Sequence, residues 1–322
     1  MAAPQISAII CTHNRDRYLG GAIDSLLQQQ FTGGYEVIVV DNASDDRTRA
    51  VVEARWPDAR LRYLYEPQLG LSIARNTGAK QAASPILAYL DDDAVASPQW
   101  LQALYDAYQA HANLAIAGGR VTLLWPSGQT IPSWLTANLA ESLGAYDLGD
   151  NWLWIDRPGS TPRGLNYAIR RDVLEAIGGF DVNLGRSGKN LLSNEELYAT
   201  ELALRQGWRV AYLPQAQVAH HVAPERLQAG WFLRRSWWQG ISECYREQCA
   251  NQVGIEQLQR GGERLLRGLW KAMRHIHHPA VCFDNLVYAY GQIGYLKATL
   301  QGGRTIETQK PIAASRTSIE PR

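Results

Sequence analysis

Three aspartates in a row, Asp91, Asp92 and Asp93, follow the apolar run from Ile86 to Leu90. Carboxylates at the end of a buried strand repel one another unless a cation or a polar partner offsets their charge. A hard divalent cation such as Mg2+ or Mn2+ takes oxygen ligands and keeps positions open for phosphates. On that reasoning, removing one aspartate relieves repulsion. The competing reading is an acidic loop that caps the helix beginning near Pro98, because Asp is a common turn and N-cap residue. A second polar cluster, Asp41 to Asp46, follows the strand-like Glu36 to Val40. Asp41 there can accept a ring N–H in a dry pocket, while Ser44 or Asp45 is expected to cap the next helix. Arg75, early in a helical segment, can reach a base or pyrophosphate, or can simply solubilise its helix. Glu195 and Glu196 read either as a proton-accepting pair or as first-turn charges favoured by a helix dipole. His220 or His221 can offer a neutral imidazole to a metal, or can sit at a strand edge. The run His275 to His278 has no acidic or cysteine companion at ligand spacing and reads as a solvated helix end.

These groups need a scaffold, and the chain supplies an α/β pattern with parallel strands. Strand-like runs at Ile6–Cys11, Glu36–Val40, Leu61–Tyr65 and Ile86–Leu90 alternate with helical spacing over Asp16–Gln30, about Asp46–Arg55 and Ser72–Ala83. Ligands of such sheets bind beyond the carboxyl ends of the strands, where the polar clusters fall. The turn after the first strand lacks G-x-G-x-x-G and no P-loop is present, which argues against a nicotinamide or flavin enzyme. Ala117–Leu124 and Arg209–Leu213 look like further strands, and Trp125–Arg163 like an irregular, Trp-bearing insertion. Gly178 and Gly179 predict a tight turn, with Phe180 packed beneath. Asn166 and Arg163 are candidates for an acceptor groove, and the basic loop Gly185–Lys189 for closing over phosphate. Beyond Pro224 helical periodicity takes over. Residues 225–274 carry nine Lys/Arg against five Asp/Glu, with Trp231, Trp237, Trp238 and Trp270 interleaved. That composition suits an amphipathic surface touching anionic lipid, or a helix packed on its own domain.

The 322 residues suffice for a full core, and a formal charge of +1 makes nucleic acid a poor partner. Cys11, Cys244, Cys249 and Cys282 contain no C-x-x-C pair and are expected to be reduced and structural. With no secretory pattern and no stretch of about 18 apolar residues, a cytoplasmic protein is expected.

Taken in order, Thr12 to Arg15, Val39 to Ser44, Gly70 to Gly78, Leu90 to Asp93, Gly178 to Asp181 and Asn194 to Glu196 resemble a family 2 glycosyltransferase of the GT-A fold. The resemblance spans about Ile6 to Pro214. It implies a Rossmann-like sandwich with a mainly parallel sheet over residues 1–223. Residues 1–113 would form the nucleotide-sugar half and 114–223 the acceptor half, followed by a helical extension at 224–301 and a disordered tail at 302–322. It also implies an inverting transfer from a nucleoside diphosphate-sugar, a UDP-sugar being favoured, to a glycan or lipid-linked acceptor in a bacterial polysaccharide setting. The donor would be held by Thr12, Asn14, Arg15, Asp41, Arg75 and Asp92, with Asp92 nearer the ribose. Mg2+ or Mn2+ would be held by Asp93, with Asp91 behind it and His221 completing the shell. Glu196 stands where the family more often has aspartate; it would be the base, with Glu195 the alternative. The remaining readings are a nucleotidyl transferase, which would carry a glycine-rich phosphate loop, and a binding or scaffold protein of the same fold without catalysis. The location would be cytoplasmic, with peripheral contact at the inner face of the plasma membrane through the C-terminal helices.

Overall fold

The computed structural model describes residues 3–188, 190–249 and 255–302. The expected tail lies almost wholly outside these residues, as does Lys189. The first half runs β1 (Ile6–Thr12), α1 (Asp16–Leu27), β2 (Tyr35–Asp41), α2 (Thr48–Glu53), β3 (Leu61–Tyr65), α3 (Leu71–Gln81), β4 (Ile86–Asp91), β5 (Ala94–Ala96) and α4 (Trp100–Ala110). Then follow β6 (Leu114–Leu124), α5 (Ala137–Ser142), β7 (Leu153–Ile155), β8 (Asn166–Arg170), α6 (Arg171–Ala176), α7 (Glu195–Arg205) and β9 (Arg209–His221). Three long helices close the described chain: α8 (Ala229–Cys249), α9 (Ile255–Arg274) and α10 (Pro279–Leu300).

The strands form one nine-stranded sheet in the order β3-β2-β1-β4-β8-β6-β9-β5, with β7 pairing β9. β1 to β4 are mutually parallel. β8 runs antiparallel to both β4 and β6, and β9 runs parallel to β6. The central β1 and β2 are buried nearly end to end, as expected for strands covered on both faces. Thr12, Asp41 and Asp91 end β1, β2 and β4, so the three polar turns converge on one edge of the sheet.

Several local expectations change. α1 stops at Leu27 rather than Gln30, because the Gln29 side chain turns across to Ser97 O (2.7 Å) and accepts Leu101 N (2.9 Å). That amide is one of the first-turn donors of α4, so Gln29 serves the helix that an acidic cap was expected to serve. At α2, Asp46 rather than Ser44 or Asp45 accepts Thr48 N (2.9 Å). β9 is far longer than the five residues expected. Its register against β6 jumps from Gly119↔Leu213 to Val121↔Val218, so the chain at Pro214 to Gln217 bulges and the strand resumes to His221. Gly119 makes this close passage possible: a Cβ there would fall 2.0 Å from Leu213 O and 2.4 Å from Ala216 O. The insertion 125–163 is partly ordered into α5 and β7. Trp134 packs edge-on against Phe232 and Phe283, joining it to a second core of Leu139, Leu143, Val222, Leu227 and Val287 beneath the C-terminal helices.

Candidate active site

The acidic turn is held by cations of the chain itself. Asp93 is almost wholly buried. Its Oδ2 accepts from Arg15 Nη1 and from Arg226 Nη2 (3.2 Å), and its Oδ1 lies 3.1 Å from His220 Nε2. The pairing of β5 with β9 sets this up: Ala94 stands opposite His220, and His221 N donates to Asp93 O (2.8 Å). The sequence alternation also contains the signal, since Ala216, Val218 and His220 are buried at every second position. His221, in contrast, stacks on Tyr18 with ring centroids 5.3 Å apart. Burial opposes ionisation of Asp93, but His220, Arg15 and Arg226 together hold its carboxyl well below the usual range. Asp92 goes the other way. Burial, joined by the charges of Asp93 and Asp91 and opposed by Arg15 and Thr12, pushes it up to about 7.

The second turn is a clasp. Asn14, with a left-handed φ of 52°, donates its N–H to Ser44 Oγ (3.0 Å) and accepts Asp45 N at its Oδ1 (2.9 Å). Asp41 accepts Ser44 N at Oδ1 (3.0 Å) and the Tyr63 hydroxyl at Oδ2 (2.6 Å). Both its oxygens are therefore oriented, and each retains a lone pair for a further donor. Tyr63 escaped the sequence reading because it belongs to β3, outside every motif.

Arg75 is buried from solvent and bound inside the domain. Its Nη1 donates to Glu195 Oε1 (2.5 Å) and its Nη2 to Gly164 O (3.1 Å), with Asp91 Oδ1 3.7 Å from Nη2. Tyr89 and Phe180 flank the guanidinium at 5.8 and 5.5 Å. The Phe180 turn has the expected left-handed glycines, both at φ 85°, and Asn76 latches it through Phe180 N and O (2.9 and 2.8 Å). Glu195 is buried, whereas Glu196 is half-buried. Burial and the Glu196 charge push the Glu195 carboxyl up to about 7, against the pull of Arg75. Neither Glu195 Oε2 nor Glu196 Oε2 has a hydrogen-bond donor among the described residues. The loop before them hangs on α8: Ser193 N donates to Ser242 Oγ (3.1 Å), Ser193 Oγ to Gln239 Oε1 (2.9 Å), and Gln239 Nε2 to Asn194 Oδ1 (2.9 Å). Two candidates for the acceptor groove belong elsewhere. Asn166 is fully buried, accepting Trp100 Nε1 (2.8 Å) and donating to Ala216 O (2.7 Å) in the β9 bulge. Arg163 pairs with Glu141 (2.9 Å).

No cluster of three or more His, Cys, Asp or Glu able to enclose a metal exists among the described residues. Asp91 and the His221 ring are not brought onto Asp93; His220 is. What is present fits a cation held by one or two carboxylates and completed by substrate phosphates, the usual mode for Mg2+. The buried Asp92, whose ion-pair contact among the described residues is Arg15 Nη1 at 4.0 Å, is the observation that supports such a fit.

Residues 7–178 match the family described as glycosyl transferase family 2, just over half of the chain. The chain is 28% identical over 242 residues to glucosyl-dolichyl phosphate glucuronosyltransferase of Haloferax volcanii, covering 74% of this chain and 76% of that one. It is likewise 28% identical to the succinoglycan biosynthesis protein ExoM of Rhizobium meliloti, covering 72% and 71%. Among solved structures, the mannosyltransferase PcManGT of Pyrobaculum calidifontis, in complex with GDP-Man and Mn2+, superposes with a TM-score of 0.61 at 18% identity, over 94% of this chain and 88% of that one. The chain belongs to glycosyl transferase family 2 and has the GT-A fold, with a helical C-terminal extension. It is a glycosyltransferase, and its relatives act in glycan and polysaccharide biosynthesis.

Proposed function

We propose that this enzyme is a metal-dependent, inverting transferase that moves a sugar from a nucleoside diphosphate-sugar, a UDP-sugar by preference, to a hydroxyl of a glycan or lipid-linked acceptor. The observation that carries the reading is the Arg75 bridge, which ties Glu195 at the start of α7 to Asp91 at the end of β4. Proton removal and departure of the diphosphate are thereby held in one rigid frame.

Thr12, Asp41 and Asp92 hold the nucleoside end in this reading, with Tyr63 aiming Asp41 at the base and Asn14 keeping the two turns together. Arg15 faces the emerging diphosphate. Arg75 acts from behind, as a positioning residue for Glu195. Asp93, with Asp92 and His220, would hold Mg2+ or Mn2+, which when bound offsets charge on the leaving diphosphate. Glu196 takes the acceptor hydroxyl proton while that oxygen attacks the anomeric carbon opposite the leaving group, so the configuration inverts in one displacement. Its free Oε2 is the acceptor for that proton, and the neighbouring Glu195 is held by Arg75. A lipid-linked acceptor is consistent with α9, whose Leu266, Leu269, Trp270 and Met273 are exposed beside Arg267, Lys271 and Arg274, with Ile276 exposed in the turn that follows. An outward apolar stripe with basic flanks suits the surface of an anionic membrane. No helix among the described residues is long and apolar enough to cross one.

A panel of nucleotide-sugars scored by thermal shift, with and without Mn2+, tests the donor and metal together, because a ligand of the folded state raises apparent stability. The reading expects one UDP-sugar to stabilise strongly only with metal, and to be turned over with inversion. Binding without turnover, or a product of retained configuration, would count against it.

A further inference from the structure

On the outer side of the acidic turn lies a polar cavity of about 600 Å³, and five arginines line it: Arg15, Arg17, Arg186, Arg226 and Arg234. Its acidic lining is Asp16, already bound by Arg47 (2.9 Å), and the exposed Glu225. Arg15 and Arg226 share Asp93 behind the wall. Arg17, Arg186 and Arg234 have no carboxylate partner among the described residues and stand exposed on three different segments: α1, the loop before α7, and α8. Guanidinium groups converging from separate elements form a fork-shaped donor set matched to phosphate oxygens. A donor diphosphate arriving with a divalent cation, as proposed above, brings little net negative charge to such a cavity. Three of the arginines therefore stay available to a further anion.

The next cavity says what that anion is attached to. It has a volume of about 460 Å³, and α8 and the loop before α7 line both it and the first. α8 contributes Trp231 and Arg234 to the arginine cavity and, one to two turns on, Trp237, Trp238 and Ile241 to its neighbour. Leu69, Ile73 and Leu192 complete a largely apolar wall there. A charged chamber and an apolar one on the same helix suit a ligand with a phosphate head and an apolar body.

We propose that the arginine-lined cavity binds a phosphoryl group carried by the acceptor, separate from the donor's diphosphate. This rests on the transferase reading for the word acceptor, but not for the site. The test uses the full chain saturated with UDP and Mn2+, with decyl phosphate and inorganic phosphate as calorimetric probes. The double variant Arg17→Ala/Arg234→Ala alters only exposed side chains outside the donor machinery, so its fold is retained and its UDP affinity is expected to be unchanged. Decyl phosphate should bind the UDP-saturated wild type and bind the double variant at least tenfold more weakly. Tighter binding of decyl than of inorganic phosphate identifies a lipid phosphate; equal binding identifies a soluble one. Equal affinity of both proteins for the probes overturns the proposal, as does loss of probe binding when UDP is added, which would make the cavity the donor's. If no sugar is transferred yet the probe result holds, the transferase reading fails and this site stands; if transfer is intact and the probe result fails, only this site falls.

Discussion

Replacing Asp93 by asparagine removes a charge while preserving volume, and the structure sets the sign of the effect. Three successive carboxylates suggest relief of repulsion. The geometry says otherwise, because Asp93 is the counter-charge of Arg15 and Arg226 and lies 3.1 Å from His220 Nε2. Arg226 and His220 expose 8% and 4% of their side chains, and Arg15 28%, so none is well solvated. Breaking a buried pair by removing one partner costs about 3–5 kcal/mol. Relief at Asp92 offsets part of this, since the Asp93 charge helps push Asp92 up to about 7. A net loss of about 3 kcal/mol follows, at the low end of that range. With about 2–4 °C per kcal/mol, Tm should fall by about 6–12 °C. The pH dependence has a definite sign. A carboxyl held below its unfolded value stabilises above that value and loses the effect as pH falls, so the gap between wild type and Asp93→Asn should narrow below about pH 4. Urea melts of both proteins across pH measure it. A variant as stable as wild type at neutral pH, or a gap that stays constant on acidification, would refute the charge-balance reasoning.

Three further expectations follow from particular contacts. Gly119→Ala should destabilise by about 3 kcal/mol or more, the upper range for overpacking, because the new methyl meets two carbonyl oxygens; a shift in urea midpoint worth less than about 1 kcal/mol would show that the β9 bulge can yield. Tyr63→Phe should weaken UDP binding by about 1 kcal/mol and Asp41→Ala by about 1–3 kcal/mol, measured by calorimetry, and unchanged affinity in both would limit Asp41 to holding its turn. Trp270→Glu/Met273→Glu should abolish co-flotation with phosphatidylglycerol vesicles without changing donor affinity, whereas persistent flotation would remove α9 from the membrane face.

The parallel half of the sheet is legible in the sequence because β1, β2 and β4 are near-continuous apolar runs ending in polar turns, and those turns are where the motifs lie. β9 is the counter-example. Pro214 interrupts the run, and Gly119 on β6 lets the strand continue, a relation between segments about 95 residues apart that no local pattern carries. That continuation decides which histidine faces Asp93. The choice of His221 came from the resemblance alone, while the period of two already points Val218 and His220 the same way. Arg226 has no comparable signal, since a lone arginine after a proline turn looks like any surface cation. Arg75 was visible as a residue of interest, yet its partner Glu195 lies 120 positions away, so the sequence showed a reach and the fold showed a target.

The most direct measurement is single-turnover transfer by Glu196→Gln, with donor and metal affinity determined on the same protein. If Glu196 removes the acceptor proton, transfer falls about 100-fold or more, the lower end of what general-base catalysis contributes, while both affinities stay at wild-type values. Glu195→Gln should retain more activity than Glu196→Gln. Near-wild-type transfer by Glu196→Gln, or the reverse ranking of the two variants, would contradict the assignment of the base and with it the proposed mechanism.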